Sequence, residues 1–232
     1  MKFGELVFRG SNYDQDALWA LSEVLGQEAL PLWHKDPDLK GVDAIVVPGG
    51  FSYGDYLRCG AMARFSPVMQ SVQSFAEAGG PVVGICNGFQ ILCEAGLLPG
   101  ALVRNEGLKF VCRPQPIRVE RTVSKLLDAD RGEILVIPVK HGDGRYVASA
   151  ELLRLLVAEG QVVFRYCDAQ GRSTDDANPN GATGGIAGVC NEAGNVLGMM
   201  PHPEHAVDAS VGFHSADGAA VIGGLLKRAV RA

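Results

Sequence analysis

Short apolar runs alternate with amphipathic stretches along the first half of this chain. Runs of about four apolar residues predict buried strands, and apolar positions at helical spacing predict helices between them. We predict strands over residues 5–8, 44–47 and 82–85, and helices over residues 14–25 and 66–76 and directly after Cys86. This alternation is typical of βαβ units, so it predicts an α/β fold with a mostly parallel sheet and helices on both faces.

The second half of the chain has a different pattern. Residues 111–120 and 134–139 resemble strands without a helix between them, which predicts an antiparallel extension and a partly mixed sheet. Further predicted elements are a helix over 150–158, strands over 162–166, 186–190 and 196–200, and a closing helix that Asp217 could cap. We find no internal repeat, and the 232 residues, 47% of them hydrophobic, are enough for a sizeable core. We therefore predict one domain spanning residues 1–232.

Charge and cysteine content exclude several classes of protein. The formal net charge is −5 and no basic stripe is present, so neither nucleic acid nor an anionic membrane is an expected partner. No signal peptide is recognisable, and no apolar run approaches the ~20 residues that a membrane span needs. The six cysteines show no metal-ligand or paired spacing. Together these features predict a cytoplasmic protein without a metal site.

The most informative stretch is Gly84-Ile85-Cys86-Asn87-Gly88, which follows an apolar strand and precedes a predicted helix. A reactive residue between two glycines at a strand-to-helix turn is typical of a nucleophile elbow. The unpaired N–H groups and the dipole of the helix N-terminus favour the thiolate, the nucleophilic form of cysteine. We therefore predict that Cys86 is a catalytic nucleophile and that the other five cysteines pack in the core.

A cysteine nucleophile needs a base and a group that orients the base. His202-Pro203-Glu204 follows the predicted strand 196–200, and residues two apart in an extended segment project to the same side. Because the carboxyl ends of parallel strands meet at one edge of a sheet, His202 and Glu204 complete a candidate triad with Cys86.

An oxyanion formed by attack on an amide carbon needs hydrogen-bond donors. The N–H of Asn87, directly after the nucleophile, is one candidate. The Pro48-Gly49-Gly50 turn at the end of strand 44–47 offers a second, although a simple tight turn is an equal alternative.

Other polar residues carry weaker signals. His34 is interpreted as a surface residue, and no partner can be named for His205 or His214. His141, in a glycine-rich turn, could shape a pocket or be a structural histidine held by hydrogen bonds. The loop over residues 178–185 could bind a ligand or be a mobile connector.

The Cys86-Asn87-Gly88-Phe89-Gln90 run together with His202-Pro203-Glu204 resembles the class I, or triad, glutamine amidotransferases. The stretch from Phe51 to Gly60 narrows the resemblance to the members that serve purine synthesis. The resemblance implies Cys86 as nucleophile, His202 as general base and acid, and Glu204 as the group that orients His202. It further implies oxyanion donors from Gly50 and Asn87, and contacts between the bound glutamine and two residues, Gly49 and Gln90.

The implied reaction hydrolyses L-glutamine to glutamate and ammonia through a cysteinyl thioester. In the family, ammonia passes to a separate synthetase subunit that converts formylglycinamide ribonucleotide to formylglycinamidine ribonucleotide, aided by a small accessory subunit. ATP and Mg²⁺ would belong to the synthetase, and no cofactor is expected in this chain. Two positions depart from the family pattern: Arg9 replaces the usual proline, and His205 the usual arginine.

Two other interpretations remain open from the sequence. A DJ-1/PfpI-like hydrolase or redox protein also has an elbow cysteine, but it lacks Gln90 and the His202-Pro203-Glu204 placement. A non-catalytic regulatory subunit would be supported by loss of the nucleophile or the base, and neither is lost here.

Overall fold

The computed structural model describes residues 1–211 and 214–229. Its eleven strands are β1 (Lys2–Val7), β2 (Glu28–Trp33), β3 (Ala44–Val47), β4 (Val82–Ile85), β5 (Ala101–Val103), β6 (Val111–Val119), β7 (Ile134–His141), β8 (Arg145–Val147), β9 (Val162–Tyr166), β10 (Ile186–Cys190) and β11 (Val196–Met199). Its five α-helices are α1 (Asp14–Trp19), α2 (Pro67–Glu77), α3 (Asn87–Glu94), α4 (Ala150–Ala158) and α5 (Gly218–Ala229).

Nine of these strands form one mixed sheet in the order β2-β1-β3-β4-β11-β10-β9-β6-β7. Neighbours from β2 to β11 are parallel, and every later pair is antiparallel. The predicted fold class and its antiparallel extension are therefore confirmed. Strands β5 and β8 form a separate antiparallel pair.

The strand order places helices on both faces of the sheet. From β1 the chain passes through α1 to β2 on one side, returns to β3 on the other side, and continues through α2 to β4. Because parallel crossovers are right-handed, this reversal puts α1 and α2 on opposite faces. The reversal also opens a crevice at the carboxyl ends of β1 and β3, where α/β proteins bind ligands.

Burial explains why the short central strands form. All four residues of β3 and all four of β4 are buried, as expected for parallel strands covered on both faces. Helix α2 starts with Pro67 in its first turn, where the missing N–H costs nothing, and it buries one face made by Val68, Met69, Val72 and Ala76.

The single-domain prediction for residues 1–232 stays a prediction, and residues 212, 213 and 230–232 lie outside the described residues.

Several features differ from the sequence-based expectations, among them the short strands β5 and β8, which were not predicted. Strand β2 was not predicted, because Pro31 argues against a central strand; β2 is in fact an edge strand, where proline is tolerated. The helix predicted over 14–25 is α-helical only to Trp19 and continues as a π-helical turn over Ala20–Val24. Asp217 directly precedes α5, but its carboxylate accepts a hydrogen bond from the Val136 N–H at 2.7 Å.

Candidate active site

Cys86 occupies a strained turn between β4 and α3. Its backbone has φ 51° and ψ −103°, a conformation that non-glycine residues rarely adopt. A side chain on Gly88 would collide with the carbonyl oxygen of Val47 at the end of β3, and a side chain on Gly84 would collide with Gly88 itself. The glycines therefore allow the turn to pack tightly between two strands, and the geometry is that of a nucleophile elbow.

His202 and Glu204 lie beside the elbow because β11 is the parallel neighbour of β4. The registered pair Met199 and Ile85 brings the two strand ends together, and the Cys86 N–H donates to the Met199 carbonyl at 2.8 Å. His202 Nδ1 and Glu204 Oε1 are 2.6 Å apart, and both side chains are fully buried. The other ring nitrogen, Nε2, is buried and has no hydrogen-bond partner among the described residues.

The electrostatics favour a charged imidazole. Burial alone lowers the pKa of His202, but the charges of Glu204 and Cys86 outweigh burial and raise that pKa well above its ordinary value. Burial likewise opposes ionisation of Glu204, yet His202 and then His205 hold its pKa below the usual range. With Nδ1 committed to Glu204, the proton at Nε2 is the one available to a reacting group.

The two candidate oxyanion donors differ in backbone setting. Asn87 is the first residue of α3, so its N–H has no partner within the helix. Gly50 lines the same cavity as Cys86 and has φ +127°, and a side chain there would collide with the backbone of Asn12. The next residues are fixed, since the Phe51 N–H donates to the Gly10 carbonyl at 2.9 Å and the Ser52 N–H donates to Asn87 Oδ1 at 3.1 Å.

The two residues expected to contact substrate lie in different places. Gln90 lines the cavity, but its amide is engaged: Nε2 donates to the Asp143 carbonyl at 2.7 Å and Oε1 accepts from Asn87 Nδ2 at 2.8 Å. Gly49 packs against the catalytic-base candidate, since a Cβ there would lie 2.7 Å from Cε1 of His202. Gly49 therefore makes room for the imidazole.

A narrow cavity of about 20 Å³ opens above Cys86. It is lined by Tyr13, Gly50, Phe51, Asp55, Cys59, Cys86, Gln90, Lys140, His141, Gly142 and Asp143. The Cys86 thiol lies 3.8 Å from the carbonyl oxygen of Lys140 on the far wall. The site thus combines a nucleophile, a buried acid–base pair and two candidate N–H donors around one small chamber, which suits acyl transfer from an amide.

Comparison with known proteins gives the family. A model described as "CobB/CobQ-like glutamine amidotransferase domain" matches residues 5–219. Curated relatives named "Phosphoribosylformylglycinamidine synthase subunit PurQ" include those of Salinibacter ruber, 57% identical over 91% of this chain and 90% of the relative, and of Synechococcus elongatus, 56% identical over 98% of both. The chain belongs to the PurQ family.

One solved structure agrees with this PurQ assignment, and another shows the same fold. The structure titled "Structure of PurLQS from Thermotoga maritima" contains a chain 39% identical to this one, with a TM-score of 0.86 over 98% of both chains. Another protein of Thermotoga maritima, described as a glutamine amidotransferase, shares the fold: it is 13% identical, with a TM-score of 0.61 over 100% of this chain and 99% of the other.

The two departures from the PurQ pattern lie in distinct surroundings. Arg9 has an exposed side chain, and its carbonyl accepts a hydrogen bond from the Tyr53 N–H at 2.6 Å. His205 has partners that the sequence did not indicate: its Nε2 lies 2.9 Å from Asp16 Oδ2, and its Nδ1 lies 3.2 Å from Lys140 Nζ. His205 therefore links α1 to the wall of the cavity.

His141 both shapes the cavity and is held by hydrogen bonds. Its Nδ1 lies 3.2 Å from Asn105 Oδ1, and burial followed by the charge of His202 lowers its pKa to about 4. The loop over residues 178–185 packs behind it, because the buried Asn180 donates to the Gly144 carbonyl at 2.7 Å. The 178–185 loop is thus a support for the cavity wall.

Two sequence interpretations were wrong. His34 is buried, with 1% of its surface exposed, because Phe8, Trp33 and Tyr53 pack around it. Cys112 is exposed, since the first half of β6 extends beyond the layer that covers the sheet. Of the other cysteines expected in the core, Cys167 and Cys190 are buried, Cys93 is half-buried, and Cys59 lines the cavity.

The sequence did not single out several cavity residues. Tyr13 contacts the rings of both His202 and His205 edge-on, at centroid distances of 5.0 Å and 4.9 Å. Asp55 and Asp143 reach the cavity from different loops. Asp55 lies within the specific stretch from Phe51 to Gly60, which was a usable signal; nothing local marked Tyr13 or Asp143.

Proposed function

We propose that this chain is the glutaminase subunit of phosphoribosylformylglycinamidine synthase. It hydrolyses L-glutamine to glutamate and ammonia, and the ammonia serves the synthesis of formylglycinamidine ribonucleotide in purine biosynthesis. The observation that carries the proposal is the elbow cysteine beside the buried His202–Glu204 pair, in a chain of the PurQ family.

The chemistry follows from the positions of the protons. With its proton on His202, the Cys86 thiolate attacks the amide carbon of glutamine, and the N–H groups of Gly50 and Asn87 receive the charge that develops on oxygen. The imidazolium of His202 then gives its proton to the leaving nitrogen, which departs as ammonia and leaves a γ-glutamyl thioester. Neutral His202 takes a proton from water, and the resulting hydroxide attacks the thioester, releasing glutamate and the thiolate. Glu204 holds Nδ1 throughout and stabilises the charged ring.

The proposed partners are a PurL-like synthetase subunit and a small PurS-like accessory subunit. The Thermotoga maritima structure whose title names PurLQS supports this assembly. So does an apolar rim beside the cavity, formed by Phe51, Tyr56 and Leu57, which are 47%, 78% and 81% exposed. We propose that the synthetase covers this rim, and that it alone uses ATP and Mg²⁺.

We also propose a cytoplasmic location. All six cysteines are free, which suits a reducing compartment. Among the described residues, no helix is long and apolar enough to cross a membrane.

The nucleophile is tested by separating the two sources of nitrogen. In the assembled complex, Cys86→Ala should abolish glutamine-dependent synthesis and leave ammonia-dependent synthesis nearly intact, whereas the exposed-cysteine control Cys112→Ala should keep both. A diazo-ketone analogue of glutamine should label wild-type protein once, at Cys86. An adduct on Cys59, the other thiol of the cavity, would contradict the assignment.

The partner is tested by glutamate release with and without the synthetase. We propose that the Gly50 peptide leaves the oxyanion hole when no partner covers its loop. Loss of one donor slows acyl transfer by about 10²–10³. Adding the synthetase with its own ligands should therefore raise glutamine hydrolysis by at least ~10². An isolated chain that already reaches the rate of the complex would contradict this coupling.

A further inference from the structure

Two aspartates, Asp55 and Asp143, line the cavity above Cys86 from different loops. Asp55 follows β3 and Asp143 follows β7, and both are half-buried. The Asp143 loop is held in place by the hydrogen bond from Gln90 to its carbonyl, and Asp55 Oδ1 lies 3.4 Å from Asn87 Nδ2. Neither carboxylate forms an ion pair with any of the residues that the structure describes.

The negative charges of these two groups repel each other. Burial raises the pKa of Asp55; its neighbour Cys59 lowers that pKa and the charge of Asp143 raises it. The cation that also lines the cavity does not neutralise them, since the Lys140 ammonium lies 3.2 Å from His205 Nδ1 and 5.4 Å from the centre of the Tyr13 ring. A positive group between Asp55 and Asp143 would relieve this repulsion and gain two charge-assisted hydrogen bonds.

The position of the reactive groups indicates which positive group of the substrate would lie between Asp55 and Asp143. Cys86 and the unpartnered, fully buried Nε2 of His202 define where the amide carbon of the substrate must lie. L-glutamine carries its α-ammonium four bonds from that carbon, and no other part of the molecule is cationic.

We propose that Asp55 and Asp143 bind the α-ammonium group of L-glutamine and thereby select α-amino substrates. This inference rests on the proposed glutaminase function. The two residues are specificity determinants that act on binding, while the bond-breaking steps belong to Cys86 and His202. Amides of similar length without an α-ammonium group should be poor substrates, because they leave both carboxylates without a partner.

The test uses two substrates that differ only in this group. Glutaramate is glutamine without the α-amino group, and both are hydrolysed at the same amide. For the wild-type chain assembled with its synthetase, kcat/KM should favour L-glutamine. Asp55→Asn and Asp143→Asn should each lower kcat/KM for L-glutamine by about 10- to 100-fold, mainly through KM, and change kcat/KM for glutaramate less than about threefold.

Matched controls separate this inference from simpler explanations. Glu192→Gln removes an exposed carboxylate from the β10–β11 turn, which lies at the amino end of β11, away from Cys86. This control should change kcat/KM for neither substrate. Retained glutaramate hydrolysis shows that a variant is folded and catalytically intact. Equal losses on both substrates for both Asp variants, or no loss on L-glutamine, would overturn the ammonium subsite while leaving the glutaminase function in place. A wild-type protein that releases no glutamate from L-glutamine would overturn the function and the subsite with it.

Discussion

Replacing Glu5 should make this protein more stable at neutral pH. Glu5 lies in the middle of β1 with 0% of its surface exposed, and both carboxyl oxygens lack a hydrogen-bond partner among the described residues. Burial, followed by the charges of Glu204 and Asp14, raises its pKa well above the ordinary value. A buried polar group without a partner costs about 1–3 kcal/mol. Glu5→Met keeps a similar shape without the carboxyl, so it should raise the free energy of unfolding by about that amount.

The pH dependence gives a second, independent readout. The unfolded chain releases the Glu5 proton near the ordinary glutamate pKa, whereas the folded protein keeps that proton to higher pH. Between those two values the folded state binds more protons, so the free energy of unfolding falls as pH rises. Urea denaturation from about pH 5 to pH 8 should show this fall in the wild-type protein more than in Glu5→Met or Glu5→Gln.

The two variants differ in a useful way. Glu5→Gln removes the titration but leaves a buried amide without a partner, so it should lose the pH dependence without the full gain in stability. Both should retain glutamine hydrolysis, since Glu5 lies outside the cavity lining. A Glu5→Met protein that is no more stable at pH 7, with the wild-type pH slope, would show that Glu5 is ionised or paired and would refute the reasoning.

Two further substitutions test the backbone of the site. Gly88→Ala should cost about 1–3 kcal/mol of stability and most of the activity, because its methyl group would collide with the Val47 carbonyl. Gly107→Ala, where the space is open, is the control. Equal stability of the two variants would contradict this account. Tyr53→Phe removes a hydroxyl that lies 2.8 Å from His34 Nδ1, so it should cost about 1 kcal/mol and lower kcat more than it raises KM if this contact holds the Gly50 loop. An unchanged kcat would show that the loop is held without the hydroxyl.

The elbow geometry and the place of the His202–Glu204 pair beside it could be predicted because each is encoded locally. Gly84 and Gly88 flank Cys86 in sequence, His202 and Glu204 are two residues apart, and both segments end strands whose apolar character is easy to recognise. Parallel pairing of β4 with β11 brings the carboxyl ends of the two strands together, and with them the elbow and the His202–Glu204 pair.

The errors arose where burial depends on residues distant in the sequence. His34 follows the edge strand β2, and its burial depends in part on Tyr53, which the loop after β3 brings against it. For His141 the sequence left two alternatives open, because its surroundings depend on the distant residues Asn105 and Asn180. Strand β2 itself was missed because its proline is compatible with a strand only at an edge, and edge position is a property of the whole sheet.

The segment after β3 contains several residues with a strained backbone, and it lies beside the candidate active site. Tyr53, Asp55 and Leu57 all have positive φ, a conformation that costs non-glycine residues of order 1–3 kcal/mol each and persists only when surrounding contacts enforce it. Part of that enforcement comes from the hydrogen bonds of Phe51 and Ser52.

This one segment carries three different tasks within a few residues. Gly50 is a candidate oxyanion donor, Asp55 lines the cavity, and Tyr56 and Leu57 are exposed beside it. A protein that covers Tyr56 and Leu57 therefore touches the same strained loop that sets the positions of the donor and the carboxylate. Strain lowers the free-energy difference between alternative loop conformations, so we propose that a modest preference of the synthetase for one of them switches the site on. In this proposal the exposed apolar rim and the strained backbone are two parts of one coupling between ammonia release and its use.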